Sequence, residues 1–307
     1  MAESVHTDTS LLHATQLAPT LTLRRSPNGI RFTSYGETKL TDLDLDRIVQ
    51  AVPAAIAPAL GAHGFYFVPL TLAEAPGGAP LAPGDTLIAS VYTTELSEDA
   101  ICHRNVALLA TSAEPAHEGV FISARLLPDN FALAFEFFIN VGHAFAAEAG
   151  IPDSFATLAW SQALAGVRGE TSQDAWEARS DALLNTKEAV KKEAPGLSSS
   201  TTRPAAAQKR SLFLARRATE TPAEPSPSDS TAHDEKAKLE FIESAYADAL
   251  AIYQLSLAVD FDYSELRERE YPLIAPAALA ERLRLIAQLF PPNPGYDFDI
   301  RYRRRGA

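Results

Sequence analysis

Cysteine occurs once, at Cys102, which excludes an internal disulfide and with it the disulfide-stapled secreted folds. Basic residues are in deficit: 27 Lys and Arg against 39 Asp and Glu leave a net charge of −12. Phosphate contact needs a positive face, so this balance argues against a general nucleic-acid binder. No apolar run reaches the ~20 residues that a membrane helix requires. The start, MAESVHTDTSLLHATQ, lacks the basic residues and apolar run of a signal peptide, so a cytoplasmic location is expected. A Gly-rich phosphate loop, GxSxG, HExxH and CxxC are all missing, which removes the enzyme classes that depend on them. No cofactor or metal is expected, and no repeat at a solenoid period is visible.

What is present suits a globular protein. The chain has 307 residues, 46% of them hydrophobic, enough for a sizeable core. Its Ala-rich, Arg-over-Lys usage has a bacterial cast.

The stretch 130–142 (NFALAFEFFINVG) dominates the pattern. Phe131, Leu133, Phe135, Phe137, Ile139 and Val141 recur at period two, which predicts a long strand with one buried face. Burying such a set contributes about 10–15 kcal/mol, so neighbouring elements must cover it. A helix is the competing reading. It leaves apolar residues around most of the circumference, with Asp129, Glu136, Asn140 and His143 on a polar strip.

Residues 1–19 show no periodicity and read as a loose arm. The tetrad Ser26-Pro27-Asn28-Gly29 predicts a hairpin between 20–25 and 30–35, with Leu21, Leu23, Ile30 and Phe32 inward. Thr41 and Asp44 form a capping pair for a helix carrying Leu45, Ile48, Val49, Val52, Ile56 and Leu60, kinked at Pro53. Strands are expected over 64–72, placed at an edge by Pro69, and over 86–94. Ser97-Glu98-Asp99 signals a helix over 101–109, with a strand over 106–111 as the alternative. A strand over 119–127 then forms a hairpin with the long strand. Asp153 caps a helix to about 167, and a second helix spans 173–193.

From 195 to 234 Ser, Thr, Pro and Ala dominate, and such a linker cannot bury enough apolar area to offset its ordering entropy. Order resumes at Glu235 with an amphipathic helix through Leu239, Ile242, Tyr246, Leu250, Tyr253 and Leu257. Another helix spans 276–290. The alternation of Tyr296, Phe298, Ile300 and Tyr302 with charged residues predicts a last strand, returning across the linker to the edge of the N-terminal sheet.

The expected fold is therefore α+β. An antiparallel sheet packed by helices over 20–194 is completed by helices and an edge strand from 235–307. The order helix, strands, helix, two strands, helix resembles small α+β domains of the secretion-chaperone type, in element order alone.

Four groups of residues bear on chemistry. Glu136, Asn140 and His143 combine an acid, a positioner and a base. Cys102 beside His103 suggests a thiol nucleophile, though adjacent helical residues diverge, and a small core residue is the simpler reading. Asp260, Asp262, Asp297 and Asp299 offer oxygen ligands for a hard cation, or are solvent-facing acids. The linker carries KRSLFLARR, in which Lys209, Arg210, Arg216 and Arg217 flank Leu212, Phe213 and Leu214. An apolar core between cations can fold into a partner's groove. A non-catalytic interaction, adaptor or chaperone-like protein is the leading expectation. An enzyme or small-ligand binder with a pocket beside 131–141 is the alternative.

Overall fold

The structure is a computed structural model. It describes residues 11–36, 41–68, 72–73, 86–89, 101–111, 115–124, 127, 129–193, 227–266 and 270–301. Within the stretch read as a loose arm, β1 (Leu11–His13) leads into a single helical turn, α1 (Ala14–Leu17), whose Ala14 and Leu17 are buried. The Ser26–Gly29 turn then forms as its residue types demand. Gly29 takes φ 101°, and its N–H donates to the Ser26 carbonyl at 2.8 Å. This turn joins β2 (Arg24–Arg25) to β3 (Arg31–Ser34) in antiparallel register. Ile30 and Phe32 point into one core, whereas Leu21 and Leu23 pack against a second, so the expected inward set divides between two faces.

Helix α2 (Asp42–Gln50) starts on the expected capping box: the Thr41 hydroxyl accepts from Asp44 N–H at 3.2 Å, and Thr41 N–H donates to Asp44 Oδ2 at 3.2 Å. Pro53 does not kink this helix, which has already ended; a 3-10 turn at Ala57–Leu60 carries the chain onward. Strand β4 (His63–Val68) stops before Pro69 and is the middle strand of its sheet, not an edge. Of the short strands β5 (Leu72–Ala73) and β6 (Leu87–Ala89), β6 lies between β1 and β5 in a separate three-stranded antiparallel sheet. Residues 102–108, expected mainly as helix, form strand β7 (Cys102–Leu108), followed by β8 (His117–Ser123).

The main sheet runs β2-β3-β4-β8-β7 and is mixed: β3–β4 and β4–β8 are parallel, while β2–β3 and β7–β8 are antiparallel. The expectation of a wholly antiparallel sheet is corrected accordingly. Parallel neighbours need a crossover, and α2 supplies one between β3 and β4. Strands β4 and β8 are buried on both faces: Phe65, Phe67, Val120 and Ile122 enter the main core, and Tyr66, Val68 and Phe121 enter the smaller one.

The largest correction concerns 130–142. These residues do not form a strand hairpinned to β8; they begin the helix α3 (Asn130–Ala149). Asp129 caps it, its side chain accepting from Ala132 N–H at 2.7 Å, and Gly150 follows its last turn at φ 75°. A helix apolar nearly all round is stable only when enclosed, and α3 is. Phe137 packs on Phe65 and Phe67 of the sheet, at ring separations of 5.1 and 5.6 Å. Opposite, a Cβ on Gly142 would stand 2.6 Å from the Ala247 carbonyl, so glycine is what lets the helix behind approach.

Four further helices complete the body: α4 (Asp153–Leu164), α5 (Gln173–Glu193), α6 (Pro227–Ala258) and α7 (Pro276–Leu289). Asp153 lies in the first turn of α4 and Pro152, not Asp153, occupies the cap. Helix α6 begins eight residues before Glu235, within the stretch expected as linker. It is not amphipathic in its second half, where residues 245–255 are buried without a break. Phe155 and Trp160 of α4 contact Tyr246 and Phe241 of α6, and α3 covers another side.

Residues 296–301 form no strand. They run irregularly over the helices, with Phe298 against Tyr253 at 5.1 Å, and Tyr296 O–H donating to the Arg47 carbonyl at 2.7 Å. Just before them Asn293 bonds to the end of α2, donating to the Gln50 and Val52 carbonyls and accepting from Ala54 N–H, each at 2.8 Å.

Candidate functional site

Helical spacing brings Glu136, Asn140 and His143 onto one side of α3, at i, i+4 and i+7. The expected strand would instead have put only Glu136 and Asn140 on a common face. The side they share looks toward β7, an outer strand of the sheet, and toward Cys102 in particular. The Cys102 thiol donates to Asn140 Oδ1 at 3.1 Å. Asn140 Nδ2 donates onward to Glu136, to its carbonyl at 2.7 Å and its Oε1 at 2.9 Å. Three residues singled out for chemistry, two on α3 and one on β7, are thereby joined in a continuous chain.

A β-bulge aims β7 at this strip. The register with β8 slips between His103 and Val106, and Asn105 takes φ 58°. Asparagine tolerates the left-handed region better than other side chains do. The extra residue changes which way the strand faces. Before the bulge, Cys102 lies against the main core; beyond it, Val106 and Leu108 point into the smaller one. Arg104, beside the bulge, is exposed yet near enough to act electrostatically on both Cys102 and His143. His103 turns away from the strip and bonds through Nδ1 to the Thr86 hydroxyl at 3.0 Å.

The electrostatics oppose a nucleophile. Burial, then the neighbouring Glu136 carboxylate, pushes the Cys102 thiol well above the ordinary thiol range. The reactive species is the thiolate, and this site disfavours it. His143 moves the other way. Burial and then Arg104 depress it to about 4, so its imidazole is neutral at pH 7. A neutral imidazole is a competent base, but Cys102 already gives its proton to an amide oxygen.

A second polar cluster escaped the sequence reading. Glu170, in the loop between α4 and α5, is 1% exposed and lies between two guanidiniums. Arg282 of α7 reaches it through Nη1 at 2.8 Å and Nη2 at 3.3 Å, and Arg179 of α5 through Nη1 at 3.1 Å. Arg282 Nε donates to Gln162 of α4 at 2.8 Å, and Arg179 also bonds the Val167 and Gly169 carbonyls at 2.6 and 2.9 Å. The loop pairs in parallel with 272–274, so closely that a Cβ on Gly169 would stand 2.2 Å from the Leu273 carbonyl. Asp248 of α6 adjoins this cluster and accepts from the Thr171 hydroxyl at 2.9 Å. One signal for the cluster was present in the sequence: Arg282 interrupts the apolar face of α7 between Leu279 and Ile286.

The remaining candidates do not gather into a site. Among the described residues no group of His, Cys, Asp and Glu is placed to hold a metal ion. Asp262 turns its carboxylate onto Ser264, accepting from its N–H at 2.9 Å, and Asp299 pairs with Arg301 at 3.0 Å on the surface. Lys209, Arg210, Leu212, Phe213, Leu214, Arg216 and Arg217 lie outside the described residues. No described helix is long and apolar enough to cross a membrane. No family model, no curated protein and no solved structure matches this chain.

Proposed function

We propose that this is a non-catalytic protein-interaction protein, an adaptor or chaperone-like scaffold, whose docking element is the basic and apolar segment 209–217. One observation carries the reading. The groups best suited to chemistry are spent on one another, the thiol on the amide and the amide on the carboxylate. A hydrogen-bond chain so closed acts as a fastener between β7 and α3. In sequence, segment 209–217 falls between the end of α5 at Glu193 and the start of α6 at Pro227. Its four cations around three apolar residues suit an acidic groove with an apolar floor.

The test is quantitative affinity capture with the full chain and with a variant in which 209–217 is replaced by an equal length of Gly and Ser. A specific partner retained by the former and lost by the latter is expected. An unchanged set of partners overturns the reading. A thermal-shift screen of metals and metabolites checks the alternative, a ligand site beside α3. A ligand-induced shift abolished by Glu136→Gln would establish that alternative in its place.

A further inference from the structure

Where α4 gives way to α5, the chain encloses a cleft of about 340 Å³. One wall is the connecting loop. Gly166, at φ 71°, ends α4: its N–H donates to the Ala163 carbonyl and Val167 N–H to that of Gln162, both at 3.1 Å. The loop is then pinned from two sides. Ala275 N–H donates to the Arg168 carbonyl at 2.9 Å, and the Nη atoms of Arg179 hold the Val167 and Gly169 carbonyls. The other wall is α5, on which Trp176, Ser180 and Leu183 recur at i, i+4 and i+7. Both walls are fixed by bonds within the chain, so the cleft needs no reshaping to be filled.

The lining is chemically one-sided. In a chain with 39 acids, no Asp or Glu is among the described residues that line the cleft, whereas two arginines are. Arg168 is exposed, and among the described residues its guanidinium meets no carboxylate. Arg179 is 5% exposed, with Nη1 and Nη2 spent on carbonyls and on Glu170. Its Nε–H has no acceptor among the described residues, and an unmet donor on a buried cation calls for one. Glu170 cannot serve both sides, because Arg282 shares it. Asp174, Glu177 and Asp181 are exposed, and helical spacing turns them away from the stripe of Trp176, Ser180 and Leu183. Trp176, Val167 and Leu183 are half-buried and supply an apolar surface.

We propose that this cleft binds a small organic carboxylate: its two oxygens meet Arg168 and Arg179 Nε–H, and its apolar body lies on Trp176 between Val167 and Leu183. Two unspent donors suit a two-oxygen anion. The apolar walls ask for more than an inorganic ion, and the volume is at the small end of ligand pockets. The site is separate from the seam beside α3 and from segment 209–217, so it does not rest on the docking reading.

Trp176 reports on occupancy. With Trp160→Phe it becomes the sole tryptophan of the full chain, which has 2. Its fluorescence, titrated at neutral pH with phenylacetate and with octanoate, is expected to change saturably, and the tighter of the two tells an aryl from an acyl body. Arg168→Gln, an exposed change that removes no bond among the described side chains, should weaken binding about tenfold. Phenylacetamide, which keeps the body and lacks the charge, should bind as weakly to the unaltered site. Inorganic phosphate should produce no saturable change. The proposal is overturned by a linear response to both acids, by equal affinity in Arg168→Gln, by an amide as tight as its acid, or by phosphate that displaces the acid. Partner capture is read in a different assay, so either proposal can fail alone.

Discussion

The two polar clusters of this protein bury similar chemistry and answer protons in opposite directions. In the seam between β7 and α3, burial holds His143 uncharged, at about 4. In the cluster among α4, α5, α6 and α7, burial holds Asp248 uncharged, at about 7. A base kept neutral and an acid kept neutral have opposite consequences for stability. His143 titrates in the unfolded chain at the usual 6.5, so its contribution is lost as pH falls from 6.5 toward 4. Asp248 is depressed to the usual 3.8 on unfolding, so its contribution is lost as pH rises from 3.8 toward 7. The difference teaches that a polar residue inside a core need not be a site. Its neighbours decide whether it is a fastener, a counter-ion or a switch.

The most severe way to break the comparison is to remove the carboxylate that two buried guanidiniums enclose. Glu170→Gln leaves two enclosed guanidiniums without their carboxylate and should cost about 3–5 kcal/mol, read from the urea midpoint. A loss below about 1 kcal/mol would mean that the pair is not sealed from water. Next come the opposed proton responses. With each pH unit worth about 1.4 kcal/mol, Asp248 and His143 contribute up to about 4 and 3 kcal/mol. They largely cancel in the wild type between pH 4 and 7. His143→Gln should therefore gain stability toward acid relative to wild type, and Asp248→Asn should lose it; parallel profiles for the two variants would refute the assignment.

Gly142→Ala tests the packing that holds the seam in place. The added methyl meets the Ala247 backbone at 2.6 Å, so a loss of about 1–3 kcal/mol is expected despite the better helix propensity of alanine. A stabilised variant would show that α3 and α6 are not in close contact there. The smallest effect is on reactivity. Cys102 should resist a thiol reagent at pH 8 in the folded protein and react at once in urea; fast native labelling would restore the nucleophile reading.

How much of this was legible in the sequence depended on whether a local rule decided the outcome. The Ser26–Gly29 turn, the Thr41–Asp44 box and the bounds of α5 were legible because backbone conformation and capping are settled within a few residues. Residues 130–142 were not, because a helix enclosed on all sides loses the polar face that marks its period. Its alternating Phe, Leu, Ile and Val satisfy a strand equally well. The discriminating signal was the polar strip at Glu136, Asn140 and His143, spaced for a helix. Strand order was not legible either, since alternation within β4 says nothing of whether its neighbours run parallel. In the candidate site the α3 residues were found, while Cys102 was placed on a helix and so parted from Asn140, its actual partner. The Glu170 cluster joins four separate elements, and single charges on otherwise apolar faces reveal it only once those elements meet.

The Asn293 side chain carries an implication for how the molecule is made. Its amide answers carbonyls and an N–H that precede it by 239 to 243 residues. During synthesis, the segment 50–54 leaves the ribosome long before that amide exists, so its backbone groups lack the Asn293 partner until then. Contacts so distant in sequence close late and slowly. The N-terminal third therefore cannot reach its final form before residue 293 has been made and has left the ribosome.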